Sequence, residues 1–79
     1  MALITEFHRI DGLDGRAHGP VDCGWRIVDV GGQKLVQLDT YGSRDRMMAG
    51  KVRQSIQIDQ EGARVLRRML DEAFGSTTH

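Results

Sequence analysis

The hydrophobic period of this chain changes once, at Asp59, and that change limits the folds it can adopt. Before Asp59, apolar residues alternate with polar ones, as in V-R-Q-S-I-Q-I, which is typical of half-buried β-strands. After Asp59, apolar residues recur at spacings of three and four, which is typical of an amphipathic α-helix. The residues of this helical stripe are Ala63, Leu66, Met69, Leu70, Ala73 and Phe74.

The alternating part of the chain divides into four predicted strands. Gly31 and Gly32 lie between two alternating runs, and two adjacent glycines supply the positive φ angles that a type I′ hairpin turn requires. The glycine-rich segment 11–22 contains the only proline and predicts a mobile loop. We predict strands at about 3–10, 23–30, 34–41 and 51–58, and a helix at about 60–74.

These elements define an α+β fold: a four-stranded antiparallel meander followed by one C-terminal amphipathic helix, β-β-β-β-α. Asp59 has the side chain of a helix N-cap, and Gly75 is a suitable residue to end the helix. The 79 residues are enough for one domain, which we assign to 1–79.

Cysteine usage and hydropathy indicate the compartment. Cys23 is the only cysteine, so no disulfide can form within one chain, and this suits a reducing cytoplasm. The first residues, MALITEFHRI, lack the long apolar run of a signal peptide, and no apolar stretch is long enough to cross a membrane. We therefore expect a cytoplasmic protein with no membrane partner.

A small core favours self-association. A chain of this length buries only roughly 60–65% of its unfolded surface, so its own core is marginal and dimerisation would stabilise it. One helix covers one face of a sheet, and the other face is then hydrated, paired with a second subunit or bound to a ligand. Trp25 is open to three interpretations: the core, the dimer interface or a ligand contact.

Charge is unevenly distributed along a chain whose net charge is zero. Residues 42–68 contain seven basic and three acidic side chains. Arg44, Arg46, Lys51 and Arg53 lie within ten residues, with Asp45 as the only opposing charge. The excess favours a surface that binds a polyanion, and a solvated hairpin is the alternative.

The predicted strands also carry neutral donors and aromatic rings. Arg53, Ser55 and Gln57 alternate with apolar residues on strand four, and Arg26 is placed to join them from strand two. Such side chains donate hydrogen bonds to phosphates and to base edges. Tyr41 and Trp25 offer rings on which unstacked bases can lie.

Catalytic chemistry has little support in the sequence. His8, His18 and His79 have no metal-ligand spacing. Cys23 and His18 could form a nucleophile and base, but no third group that would orient them is evident. No glycine motif that holds phosphate precedes a helix. We expect no enzymatic activity, no cofactor and no metal.

A long motif gives the chain a family resemblance. GWRIVDVGGQKLVQLDTYGSRDRMMAGKVRQSIQIDQEGARVLRRML, from Gly24 to Leu70, resembles the single-stranded-DNA-binding domain of the transcriptional coactivator positive cofactor four and its short bacterial relatives. The resemblance is tightest from Gly50 to Asp59. It implies a homodimer of β-β-β-β-α subunits whose curved sheets bind single-stranded or melted DNA.

The resemblance also implies binding residues. Lys34 matches the lysine that begins strand three, Tyr41 matches the aromatic residue near its end, and Gln54 stands at a position where the family has a basic residue. The basic residues of the family's loop and fourth strand are matched by Arg44, Arg46, Lys51 and Arg53.

The sequence thus predicts a small homodimeric nucleic-acid-binding protein that favours single-stranded DNA and acts as an accessory in transcription, replication or repair. The alternative is a non-enzymatic protein-interaction module, such as a phage or regulatory adaptor, on the same scaffold. The predicted nucleic-acid-binding residues are Arg26, Lys34, Tyr41, Arg44, Arg46, Lys51, Arg53 and Gln54.

Overall fold

The computed structural model of the protein describes residues 1–42 and 51–75. Within these residues the chain forms a four-stranded sheet and one C-terminal helix, so the α+β class is confirmed. The elements in chain order are β1 (Ala2–Ile4), β2 (Cys23–Val30), β3 (Gln33–Tyr41), β4 (Val52–Ile58) and α1 (Gln60–Phe74).

The three longer strands are antiparallel neighbours in the sheet order β1-β4-β3-β2. The hairpin of β2 and β3 has a two-residue turn, since Val30 pairs with Gln33. Gly31 and Gly32 both have positive φ, 58° and 83°, as a type I′ turn requires. The Asp29 carboxylate accepts a hydrogen bond from the Gly32 amide at 3.0 Å, which stabilises the turn.

The prediction of an antiparallel meander is wrong at the first strand. β1 lies at the edge of the sheet opposite to β2 and pairs in parallel with β4, with Ala2 opposite Ile56 and Ile4 opposite Ile58. The sheet is therefore mixed. The connection between β1 and β2, residues 5–22, is long enough to cross to the opposite edge of the sheet. The two strands therefore do not have to be neighbours joined by a hairpin.

The predicted length of the first strand, 3–10, is also wrong. Because β1 and β4 are parallel, the residues after Ile4 would have to pair with the residues after Ile58. Those residues begin the helix, so the partner strand ends and β1 ends with it. Residues 5–22 contain neither helix nor strand, and the mobility predicted for 11–22 stays a prediction.

The helix begins and ends as its sequence predicts. The Asp59 carboxylate accepts a hydrogen bond from the Gly62 amide at 2.8 Å, which satisfies one of the unpaired amides of the first turn. Gly75 ends the helix at φ 79°, and its amide donates to the carbonyl of Asp71 at 2.7 Å.

Gly62 is where the helix comes closest to the sheet, because it is buried and has no side chain to separate them. A Cβ atom there would lie 3.0 Å from Cγ2 of Ile58 and 3.6 Å from the carbonyl oxygen of Ile4. The first turn of α1 therefore packs tightly over β4 and β1. Arg9, which follows β1, forms an exposed ion pair with Glu72 near the other end of the helix.

The pairing register divides the sheet into two faces. The face toward α1, called the helix side here, is apolar; its sheet residues include Trp25, Ile27, Val36, Leu38 and Ile58. The opposite face, called the polar face, carries Arg26, Gln37, Asp39, Ser55 and Gln57.

The core is small. Among the described residues, Leu35 and Ile58 are the buried hydrophobic side chains, at 5% and 4% exposure, and none is completely buried. The chain exposes 7303 Å² of surface. A compact monomer of 8.8 kDa exposes roughly 4,800 Å² by the usual scaling with mass.

Candidate nucleic-acid interface

Hydrogen bonds connect side chains across the middle of the polar face. Gln57 on β4 lies opposite Gln37 on β3, and the Gln57 amide donates to Oε1 of Gln37 at 2.9 Å. The Gln37 amide in turn donates to both carboxylate oxygens of Asp39, at 3.1 and 3.3 Å. Ser55 lies opposite Asp39 and is hydrogen-bonded to it. The strand register therefore builds a connected polar row of neighbouring side chains.

Asp39 is the acidic centre of this row. Hydrogen bonds from Ser55 and Gln37 lower the pKa of its carboxyl below the ordinary value of 3.8, slight desolvation opposes them, and the positive charge of Arg26 adds to the lowering. Asp39 is therefore ionised at neutral pH. A carboxylate in this position accepts hydrogen bonds and repels phosphate.

A recess of about 310 Å³ lies beside Asp39 and is lined also by Gly24, Trp25, Arg26 and Tyr41. The Tyr41 ring lies against Gly24: a Cβ atom at Gly24 would be 3.2 Å from the Tyr41 hydroxyl oxygen and 3.5 Å from Cε2. The missing side chain at Gly24 thus lets the ring approach the backbone of β2. The recess combines an aromatic ring, a cation and a carboxylate.

The register of β3 and β4 shifts next to this recess. Thr40 pairs with Gln54, whereas Tyr41 pairs with Val52, so Arg53 is an extra residue in β4. Such an irregularity bends a strand and redirects side chains, and it is common beside functional sites. It places Lys51, Arg53 and Tyr41 at the same end of the sheet as the start of β2.

The structure brings some of the predicted binding residues together and separates others. Arg26 and Tyr41 line one recess, and Arg53 and Lys51 follow at the same end of the sheet. Lys34 pairs with Asp29 beside the hairpin turn, at the opposite end, and Gln54 alternates onto the helix side. Arg44 and Arg46 lie outside the described residues, between Gly42 and Lys51.

The helix side is apolar and largely uncovered. Exposure along α1 increases from Gly62, which is buried, to Phe74, which is 78% exposed. On β2, Trp25 and Ile27 are 68% and 63% exposed although they face the same side as the helix. The helix therefore covers β4 and leaves the side of β2 and its own C-terminal half open.

An apolar groove of about 700 Å³ results between the hairpin and the first turns of the helix. Its apolar walls include Ile27, Val36 and Ala63. A second, smaller hollow of about 250 Å³ lies between Leu38 on the sheet and Leu66 and Leu70 on the helix. Large exposed apolar patches mark interaction surfaces in soluble proteins.

Two features of this site could not be obtained from the sequence. Alternation placed Gln37, Asp39, Ser55 and Gln57 on comparable polar faces, but the hydrogen bonds among them depend on the register of β3 and β4, which alternation alone does not supply. Gly24 gave no signal beyond being a glycine in a strand, which often marks a close approach of another group. Here that group is the Tyr41 ring.

No group of three or more histidine, cysteine, aspartate or glutamate side chains lies close enough to hold a metal ion within residues 1–42 and 51–75. In the same part of the chain, no helix combines the length and the apolar composition needed to cross a membrane. The expected absence of catalysis and of cofactors stays a prediction.

The chain matches no protein-family model, no curated protein and no solved structure. The resemblance to the positive cofactor four domain therefore stays a prediction from the sequence motif.

Proposed function

We propose that this protein binds single-stranded DNA on the polar face of its sheet and does so as a homodimer joined through the helix side. The observation that carries the proposal is the recess in which Tyr41 and Arg26 meet, next to the end of the sheet where Lys51 and Arg53 lie. Single-strand binders combine these two elements: aromatic rings for bases and cations for the backbone.

The position of the basic residues supports a path for the strand. Lys51 and Arg53 lie at the end of the sheet where Tyr41 ends β3, and Arg44 and Arg46 lie between Tyr41 and Lys51 in the sequence. Lys51 and Arg53 at that end can hold phosphates away from Asp39, whose partner across the sheet is Ser55. Duplex DNA offers no unstacked base to the recess, so the proposal favours single strands.

The apolar helix side supports the homodimer. The surface of 7303 Å² exceeds the value for a compact monomer by roughly 2,500 Å². A stable interface buries about 800 Å² on each partner. Trp25, Ile27 and Phe74 can contribute much of that area, because each exposes most of its side chain.

A titration tests DNA binding. We expect a fluorescently labelled thymidine oligonucleotide to bind more tightly than a duplex of the same length, with an affinity that falls linearly with the logarithm of salt concentration. Lys51→Ala and Arg53→Ala should each weaken binding and lower the salt slope by roughly 0.7 per lost phosphate contact. Arg68→Ala, a change of the same charge on the exposed helix surface, is the control and should leave both unchanged.

Absence of binding at low salt would contradict the proposal. So would a variant with all four of Arg44, Arg46, Lys51 and Arg53 changed to alanine that stays folded and binds as the wild type does. The second candidate, a protein-interaction module, is favoured by the exposed apolar helix side. It predicts that the chain is monomeric alone, binds no oligonucleotide and captures a different protein through Trp25 and Ile27.

A further inference from the structure

We propose that the recess on the polar face accommodates a guanine base of the bound strand, an inference that rests on the proposed function. Three features of the recess support it: a carboxylate that accepts hydrogen bonds, a guanidinium that donates them and a ring that can stack. They belong to Asp39, Arg26 and Tyr41.

The negative charge of Asp39 favours a base over a phosphate in the recess. Its carboxylate is ionised and has two oxygens with about four acceptor directions. Gln37 and Ser55 donate to it from the sheet, and the recess lies beside it. A ligand group entering there meets an acceptor with negative charge, which repels phosphate and attracts N–H groups.

Guanine has the edge that fits this arrangement best. Its N1–H and N2–H₂ groups are adjacent donors, which two carboxylate oxygens can accept together, and its O6 is an acceptor for an arginine. Guanine O6 is also an acceptor in the commonest specific contact of protein–DNA complexes, in which arginine or lysine donates to O6 and N7. Thymine offers one N–H between two carbonyl groups, and adenine and cytosine each offer one amino group beside a ring nitrogen that is an acceptor, so none of the three supplies two adjacent donors to the carboxylate.

The surroundings of the recess allow a planar base. The Tyr41 ring rests against Gly24 on one side, which fixes it on the sheet surface. The recess of about 310 Å³ is at the lower end of the range for small-ligand pockets, which is room enough for one planar base. Gln37 and Ser55 hold the Asp39 carboxylate in place, so its orientation is set before the base arrives.

The test compares thymidine oligonucleotides that differ at one central position. We expect a single guanine to raise the affinity of the wild-type protein at least about fivefold over all-thymidine, the effect of one good paired contact. Inosine, which lacks only the N2 amino group, should give an intermediate affinity. This comparison uses the unaltered protein, so it does not depend on whether a variant folds.

One variant and its control test whether the preference for guanine depends on the recess. Asp39→Asn should abolish the preference for guanine, because it removes the negative charge and one of the two acceptor oxygens, so that the guanine and all-thymidine oligonucleotides bind with equal affinity. Asp71→Asn, which removes the same charge on the helix, is the control and should keep the preference.

The failures are distinguishable. Equal affinities for guanine, inosine and thymine would overturn this inference while leaving the proposed single-strand binding in place. A preference for guanine that survives in Asp39→Asn would also overturn it. If no oligonucleotide binds at all, the proposed function fails and this inference with it.

Discussion

The two faces of the sheet differ in how completely the chain satisfies them. On the polar face, Gln57, Gln37 and Asp39 hydrogen-bond one another, so the side chains are held in place by their own neighbours. On the helix side, Trp25 and Ile27 remain mostly exposed despite being apolar. The polar face is therefore held in place by hydrogen bonds within the chain, whereas much of the helix side is left without a covering surface.

The largest expected effect comes from placing a charge on the helix side. Ile27→Asp should dissociate the dimer and lower the free energy of unfolding, because burying an unpaired carboxylate costs several kcal/mol. Val30→Asp is the matched control, since Val30 is on the same strand at 57% exposure but alternates onto the other face. Sedimentation velocity distinguishes the two variants. A dimer that tolerates Ile27→Asp would show that the helix side is not the interface between the chains.

Replacing each of two aromatic residues by alanine tests whether the polar face binds DNA and the helix side joins the two chains. Tyr41→Ala should weaken binding of single-stranded DNA by roughly 1–3 kcal/mol with an unchanged salt slope, since stacking releases no counterions. Trp25→Ala should instead weaken self-association, because its side chain belongs to the helix side. Anisotropy titrations and sedimentation measure the two effects. The opposite assignment, with Trp25 required for DNA and Tyr41 for the dimer, would exchange the roles of the faces.

The hairpin turn keeps each side chain on its face. Gly32→Val should lower the free energy of unfolding by more than about 1 kcal/mol, because valine resists the φ of 83° found there. Gly15→Val is the control: its φ is not in the positive range, and no atom lies within 4 Å of the added Cβ. Chemical denaturation measures both. An unchanged midpoint for Gly32→Val would show that the turn is not needed for the register.

The smallest effect is the pH dependence of the polar row. Because folding lowers the pKa of Asp39, its contribution to stability is present above the ordinary pKa of 3.8 and disappears as pH falls through the folded value. The stability difference between the wild type and Asp39→Asn should therefore shrink with acid, below about pH 4. Ser55→Ala, which removes the largest cause of the lowering, should reduce that dependence. A difference that stays constant with pH would contradict the arrangement of Asp39 and Ser55.

Local features of the fold could be predicted from the sequence because they depend on neighbouring residues. Gly31 and Gly32 form the turn, and Asp59 and Gly75 bound the helix, as their chemistry requires. The partner of β1 could not be predicted, because pairing between distant strands leaves no local signal. Alternation over 3–10 suggested a longer strand, but strand length is limited by the partner, and β4 ends at Ile58.

The candidate site was predictable in part for the same reason. Arg26, Tyr41 and Arg53 could be chosen by residue type and alternation, and the structure places them toward one end of the sheet. Gln54 was expected to act with them, yet alternation in the observed register puts it on the helix side. Alternation with Arg53, Ser55 and Gln57 already assigns Gln54 to the side of Ile56 and Ile58, and Gln54 was included only because the family resemblance has a basic residue at that position.

The central claim, that one face binds DNA while the other joins two chains, can be tested by sedimentation velocity of a labelled thymidine oligonucleotide with the protein at low salt. We expect the label to sediment with the mass of two chains, and Ile27→Asp to remove this species. A label that sediments with one chain, or alone, would contradict the claim.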